Sequence, residues 1–159
     1  QREWVDDIKG SLWGTLVHDI FYQFFMLLKT KDLAYDPNQF ADLSTTQSQL
    51  LCATAEQVFK NYSQDSIYWD IKKEALFGTI SKPGLLQLFM KDEQENPLAG
   101  MPDTFEKSFD ITLDQSVKLK GKVDMVLKLS NGAASVVDFK TGSTLPTIAD
   151  IKERLGHLI

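Results

Sequence analysis

Two carboxylates and one lysine in the last third of the chain have the side-chain types that metal-assisted phosphodiester hydrolysis requires. Asp124 lies in one alternating segment, and Asp138 and Lys140 lie in the next. Two carboxylates with a main-chain carbonyl, water and a phosphate oxygen are a usual ligand set for Mg²⁺. The cation can activate a bound water, and the lysine can orient that water or offset charge in the transition state. The trio predicts a divalent-metal phosphodiesterase site.

Three segments after Pro102 alternate between apolar and polar residues, which is typical of strands. They cover about 104–114, 117–130 and 133–141. Asn131-Gly132 separates the last two segments and is the strongest short-range signal for a hairpin. The segments are therefore expected to form an antiparallel meander at the centre of the domain.

Strand geometry predicts which of these side chains meet. Because successive side chains point to opposite faces, Asp124 shares a face with a row of lysines, and Asp138 shares one with Lys140. A two-residue turn at Asn131-Gly132 sets Asp124 opposite residue 139, between the other two. Taken alone, an Asp-x-Lys pair on a strand is more often an ordinary solvated pair. The predicted site therefore depends on this pairing.

The first two-thirds of the chain has helical periodicity. A helix at about 10–29 is apolar around most of its circumference and is expected to be central and buried. Ser44 with Gln47 resembles a capping box, and Pro83 suits the first turn of a helix. Three further helices are predicted at about 45–61, 66–77 and 83–95.

Composition is that of an ordinary globular protein of 159 residues with a net charge of −5, which is unusual for a nucleic-acid binder. Between 105 and 142, however, lysines slightly outnumber acids. No apolar run approaches the roughly 20 residues that span a membrane. The single cysteine, Cys52, lies in a helical stretch and is expected to be an inert thiol. One cysteine cannot hold an iron–sulfur cluster, so none is expected in this chain. Because the sequence offers no internal disulfide, we expect a reducing, cytoplasmic location.

Motifs spread along the chain resemble one nuclease family. The RecB/AddB-like branch of the PD-(D/E)XK nuclease superfamily has the signature "G-x-[IV]-D … D-[YF]-K-T-G". Two segments of this chain resemble it: Gly121-Lys122-Val123-Asp124, and Val136 to Gly142 with Asp138-Phe139-Lys140. Gly14 to His18 resembles the "G-x-x-x-H" motif of that branch. Glu106 fits its acidic residue ahead of the hairpin. Each motif is weak alone, but their common order is specific.

The resemblance implies a role for each matching residue. Asp124 and Asp138 would bind Mg²⁺ or Mn²⁺, with the main-chain carbonyl of Phe139 as a further ligand. Lys140 would be the catalytic lysine. His18 would be a metal ligand or a polar partner in the active site, although a lone histidine on a buried helix is more often a core residue.

Four further polar residues belong to the predicted site. Glu106 would support the active site, but an ordinary ion pair with a nearby lysine is an equal alternative. The lysines on the face of Asp124 are candidates for contacts with DNA, and they are Lys118, Lys120 and Lys122.

The resemblance also implies the fold. We expect a restriction-endonuclease-like α/β core, with a central mixed sheet and an antiparallel hairpin meander flanked by helices, and a large helical N-terminal part. Residues 1–159 would form a single domain truncated at both ends. Its parts would be helices at about 10–96, a sheet core at about 104–142 and the start of a closing helix at 148–159. The "Q-x-x-x-Y" motif of that helix does not occur before the chain stops.

The expected function is a Mg²⁺- or Mn²⁺-dependent deoxyribonuclease, with exonuclease activity favoured, that processes DNA ends in repair and recombination. A helicase domain or subunit would be its partner, and no membrane would be involved. The alternatives are an inactive DNA-binding or scaffold module that keeps the fold, and an unrelated α/β domain whose acidic surface binds a protein.

Overall fold

The computed structural model describes residues 2–98, 100–114 and 117–137. The helices among these residues are α1 Arg2–Thr30, α2 Thr46–Tyr62, α3 Ile67–Phe77 and α4 Leu85–Glu95, with a short 3₁₀ turn at Pro37–Ala41. The strands are β1 Met101–Asp114, β2 Val117–Lys128 and β3 Ala134–Val137. The expected α/β class with a large helical N-terminal part is confirmed.

Helix α1 is the centre of the core, as its apolar periodicity predicts. Its buried side chains are Leu16, Val17, Ile20, Phe21, Phe24, Phe25 and Leu28. Helix α2 packs against it, and the Phe25 ring stacks on Phe105 of β1 with centroids 5.7 Å apart. The helix begins at Arg2 rather than near residue 10, so its predicted start is wrong. Because α1 contacts both α2 and β1, it joins the helices to the sheet.

The starts of two other helices also differ from the prediction. Thr45 caps α2, and its hydroxyl accepts a hydrogen bond from the Ser48 N–H, so Ser44 is not the cap. Gln47 is buried and exchanges two hydrogen bonds with the backbone of Asp36. Helix α4 is capped by Gly84, which places Pro83 just before the first turn. Ser44 and Thr45 have similar capping preferences, so the local sequence does not distinguish between them.

The described strands form an antiparallel sheet in the order β1-β2-β3. Strand β1 begins at Met101, slightly before the predicted start. Met125 and Leu127 are buried in the core, as the alternation predicts. Gly121 leaves room for the ring of Phe109 on β1, which a Cβ at position 121 would strike. All described pairings are antiparallel, so the mixed character expected of the sheet is not seen within these residues.

The turn between β2 and β3 has three residues rather than two. Leu129 accepts a hydrogen bond from the Gly132 N–H, and its own N–H donates to the Ala133 carbonyl. Gly132 has φ of +82°, so the loop is a type I turn followed by a left-handed residue. Met125 therefore pairs with Val137, one residue away from the predicted pairing. The predicted two-residue turn and its register are therefore wrong for these pairs, while residue 139, the expected partner of Asp124, lies outside the described residues.

Several predicted features lie outside the described residues. These are Asp138, Phe139, Lys140, the end of the third strand and the closing helix at 148–159. In the part of the chain that is described, no helix has the length and apolar character needed to cross a membrane.

Candidate active site

His18 and Asp124 meet where the helices join the sheet. The side chain of His18 leaves α1 between the buried residues Val17 and Phe21, and Asp124 precedes the buried Met125 on β2. The His18 Nδ1 lies 3.3 Å from the Asp124 Oδ1. Their side chains are 30% and 16% exposed, so both are partly shielded yet reachable from solvent. The fold thus brings together two of the residues predicted for the site.

Glu106 adds a second carboxylate beside this pair. The β1–β2 ladder pairs Phe105 with Met125 and Lys107 with Val123, so Glu106 lies across from Asp124. Its φ of +51° is left-handed, a conformation that non-glycine residues rarely adopt and that costs free energy. The Glu106 backbone is therefore held in place by its surroundings at this point of the strand.

The Glu106 carboxylate forms an ion pair with the ammonium group of Lys122 on β2. Of the two alternatives for Glu106, the structure shows the pairing with a nearby lysine, although the pair lies next to Asp124. The hydrogen bond to Glu106, followed by the attraction of the Glu106 and Asp124 charges, raises the pKa of Lys122. Lys122 is therefore a permanent cation at the edge of the site.

An open polar groove of about 370 Å³ lies beside His18. Its lining residues are Gly14, Thr15, His18, Asp19, Glu106 and Lys122. We call it the His18 groove. A much smaller, largely aromatic pocket lies next to it and also touches His18, Glu106 and Asp124. The predicted site residues His18 and Glu106 thus line a polar groove on one side and a largely aromatic pocket on the other.

Asp19 and Tyr62 form a contact that the sequence analysis did not predict. The Tyr62 hydroxyl on α2 donates a 2.5 Å hydrogen bond to the Asp19 Oδ2 on α1. This bond, with some burial, raises the pKa of Tyr62 to about 12. The bond ties α2 to the turn of α1 that carries His18. Asp19 could have been predicted near the site because it is an acid adjacent to His18 in the sequence. No local pattern predicts the contribution of Tyr62.

The described donor atoms suit a divalent cation, although they are an incomplete set. Carboxylate oxygens suit Mg²⁺ and Mn²⁺, and imidazole nitrogen is a common ligand for transition metals. Asp124 and His18 supply one atom of each kind. Within 2–98, 100–114 and 117–137, no group of three histidine, cysteine or acidic side chains is arranged to hold a metal. The other expected ligands, Asp138 and Phe139, and the expected catalytic Lys140 lie outside those ranges.

The three predicted DNA-contact lysines are exposed on β2. Lys122 lines the His18 groove, and Lys120 forms an ion pair with Asp110 on β1. Lys118 lies opposite Thr112 in the same ladder. Cys52 is half-buried in α2, and burial raises the pKa of its thiol. That environment does not favour the reactive thiolate form.

Comparison with known proteins identifies the family. A curated relative, a subunit of the ATP-dependent helicase/deoxyribonuclease of Streptococcus mutans serotype c, is 25% identical over 128 residues. The alignment covers 80% of this chain and 10% of the relative, so the chain corresponds to about a tenth of that protein. No solved structure matches the chain. The sequence model of the PD-(D/E)XK nuclease superfamily matches residues 3–158. The chain therefore belongs to the PD-(D/E)XK nuclease superfamily.

Proposed function

We propose that this chain is the nuclease domain of a metal-dependent deoxyribonuclease that hydrolyses DNA phosphodiester bonds. The contact between His18 and Asp124 carries the proposal. A histidine with a purely structural role could be satisfied by a hydrogen bond within its own helix. His18 instead contacts Asp124 on the sheet, the residue that matches a metal ligand in the family motif. Membership of the superfamily supports the same reaction class.

Asp124, Asp138, the Phe139 carbonyl and His18 are the proposed ligands for Mg²⁺ or Mn²⁺. The observed β2–β3 register supports Asp138 as a ligand beside Asp124 better than the register predicted from a two-residue turn. Met125 pairs with Val137, and one further pair of the same ladder would set Asp124 directly opposite residue 138. Directly opposed residues of antiparallel strands point to the same face. The two carboxylates would then be neighbours.

Lys140 is the proposed catalytic lysine. It follows Asp138 by two positions, so an extended strand would place both side chains on one face. When bound, the cation would lower the pKa of a water ligand and polarise the phosphate. Lys140 would orient the attacking water or offset charge that develops on the phosphate oxygens. Glu106 supports the site from β1 by holding Lys122 at the edge of the His18 groove.

The printed name of the relative supports a proposal for the wider role. We propose that the domain acts as an exonuclease on DNA ends in cytoplasmic repair and recombination, beside a helicase domain or subunit. The relative's name includes both a helicase and a deoxyribonuclease. The chain matches a small part of that protein, which accords with one catalytic domain among several.

The test measures Mn²⁺ binding by calorimetry and cleavage of end-labelled DNA with the same protein. Asp124→Asn should weaken Mn²⁺ binding at least tenfold and lower cleavage by about 100-fold or more, since it removes a charged ligand and its effect on the bound water. Asp65→Asn is the matched control, because Asp65 is exposed in the helical part of the chain. Metal binding with no cleavage by the wild-type protein would favour the scaffold alternative. Full cleavage by Asp124→Asn would show that the site assignment is wrong.

A further inference from the structure

Acidic residues of β1 lie against lysines of β2 at three places along the sheet. The ion pairs are Lys120–Asp110 and Lys128–Asp103, each at 3.1 Å, and Lys122–Glu106. All three lysines are at least half exposed. Three lysines of β2, two of them predicted DNA contacts, are therefore paired with acids of the neighbouring strand.

The row leads away from the proposed active site. Lys118, Lys120 and Lys122 occupy alternate positions of β2, so they share a face and are spaced at about 6.8 Å along the strand. Lys122 lines the His18 groove. A DNA strand with a phosphate near Asp124 could follow this line outward, with a lysine at every second residue.

The lysines of the row differ in their partners. Asp110 lies directly opposite Lys120 in the ladder, and the two side chains form an ion pair in which they are 56% and 70% exposed. Thr112, which is uncharged, lies opposite Lys118. Lys120, like Lys122, is thus paired with a carboxylate, whereas the residue opposite Lys118 carries a neutral hydroxyl.

Exposed ion pairs of this kind contribute little to stability, because solvent screens the two charges. A DNA phosphate can therefore displace the carboxylate, but the displaced acid stays close and repels the phosphate. A lysine that is already neutralised also contributes less to the release of counterions from DNA. The acids thus lower the affinity that the lysines would otherwise give.

We propose that the acidic residues of β1 compete with DNA phosphates for the lysines of β2, and so set the affinity and salt dependence of DNA binding. This inference rests on the proposed function, in which DNA is the substrate. Asp110 and Lys120 form the test pair, because they are exposed and separate from the residues assigned to the metal. The partner is the DNA backbone, so the effect is independent of base sequence.

The experiment is a double-mutant cycle on Asp110 and Lys120. Binding of a fluorescein-labelled single-stranded oligonucleotide is followed by anisotropy over a NaCl series, with EDTA present to prevent cleavage. Asp110→Asn should tighten binding about threefold at low salt and steepen the log–log salt slope by about 0.7, the value of one added phosphate contact. Lys120→Gln should weaken binding in the wild-type background, because it leaves the Asp110 carboxylate without its cation, and should cancel the gain in the Asp110→Asn background.

Asp65→Asn provides the matched control, because it changes the net charge equally but lies in the helical part. Asp103→Asn, which removes the carboxylate paired with Lys128, repeats the test at a second ion pair should Asp110→Asn fail to fold. If wild type binds DNA but both β1 variants bind no tighter than Asp65→Asn, this inference is wrong. If no variant binds DNA at any salt concentration, the proposed nuclease function falls first, and this inference with it.

Discussion

Asp19 and Tyr62 lie outside the proposed set of metal ligands and catalytic residues, yet their contact helps to fix the geometry of that set. His18 and Asp19 are adjacent on α1, yet one side chain reaches the sheet and the other reaches α2. The two contacts hold the same turn of α1 from two directions. A histidine held in this way keeps its orientation toward Asp124, so it would lose little side-chain entropy on binding the proposed metal.

Tyr62→Phe is expected to lower the free energy of unfolding by about 1 kcal/mol. The loss is that of a hydrogen bond to a carboxylate, reduced because the pair is only partly buried. Urea denaturation of Tyr62→Phe, Asp19→Asn and the double variant measures the coupling between the two residues. If the single losses simply add, the hydrogen bond does not stabilise the protein.

The β2–β3 hairpin is the element whose geometry matters most for the proposed metal ligands. Its three-residue loop sets the ladder in which Met125 pairs with Val137. A change of one residue in that register would move Asp124 relative to the strand that continues toward Asp138. The backbone of Gly132, at φ of +82°, therefore bears on the site although it is exposed at the far end of the hairpin.

Gly132→Ala should destabilise the protein by about 1 kcal/mol, because a Cβ is disfavoured in the left-handed region. A Cβ at this position would have no atom within 4 Å, so the cost would come from the backbone alone. Gly132→Asn should cost less, since asparagine tolerates this region better. Thermal denaturation ranks the three proteins, and equal stability of the alanine and asparagine variants would contradict this explanation.

On the scale of the whole molecule, a buried acid links distant parts of the helical region. Glu93 on α4 is buried, and it accepts hydrogen bonds from the Tyr35 hydroxyl at 2.5 Å and from the Leu98 N–H at 3.3 Å. Burial raises the pKa of Glu93, with a smaller contribution from Asp92, while the two hydrogen bonds oppose the rise. The segment after α1 and the end of α4 are joined through this carboxyl group.

The sign of the pH effect follows from the raised pKa of Glu93. The folded protein holds the proton more tightly than the unfolded chain, whose Glu93 has the ordinary pKa of 4.5. The resulting contribution to stability is complete below 4.5 and is lost as the pH rises through the folded pKa. Glu93→Gln cannot titrate and keeps an oxygen acceptor, so its stability advantage over wild type should grow above pH 4.5.

Urea denaturation over a pH series tests this expectation. The exposed Glu74 on α3 supplies the control variant Glu74→Gln, which should follow the wild-type pH profile more closely. Parallel profiles for wild type and Glu93→Gln would show that Glu93 does not contribute to the pH dependence of folding.

The sequence predicted the elements of this fold better than it predicted their contacts. Apolar periodicity identified the core face of α1, because its burial follows from local spacing. Ser44 and Thr45 are both good caps, so local preference could not choose between them. Asn131-Gly132 is compatible with more than one hairpin loop, and the strands decide which one forms.

Some features of the candidate site could likewise be predicted from the sequence, and others could not. Asp124 and His18 were found through motifs, and the structure brings them together. The left-handed backbone of Glu106 and the Asp19–Tyr62 contact depend on tertiary packing, which no local pattern encodes. The partners of the β2 lysines likewise follow from the register of β1 and β2.

The position of the site between α1 and β2 has a consequence during protein synthesis. A growing chain exposes its N-terminal elements first, and domains generally fold as units. His18 therefore leaves the ribosome long before Asp124, and the helical part can collapse while the second half of the site has yet to be made. A chain that stops before β2 lacks Asp124 and so cannot form the proposed ligand pair. Under the proposed function, interrupted synthesis would then release a fragment unable to cut nucleic acid.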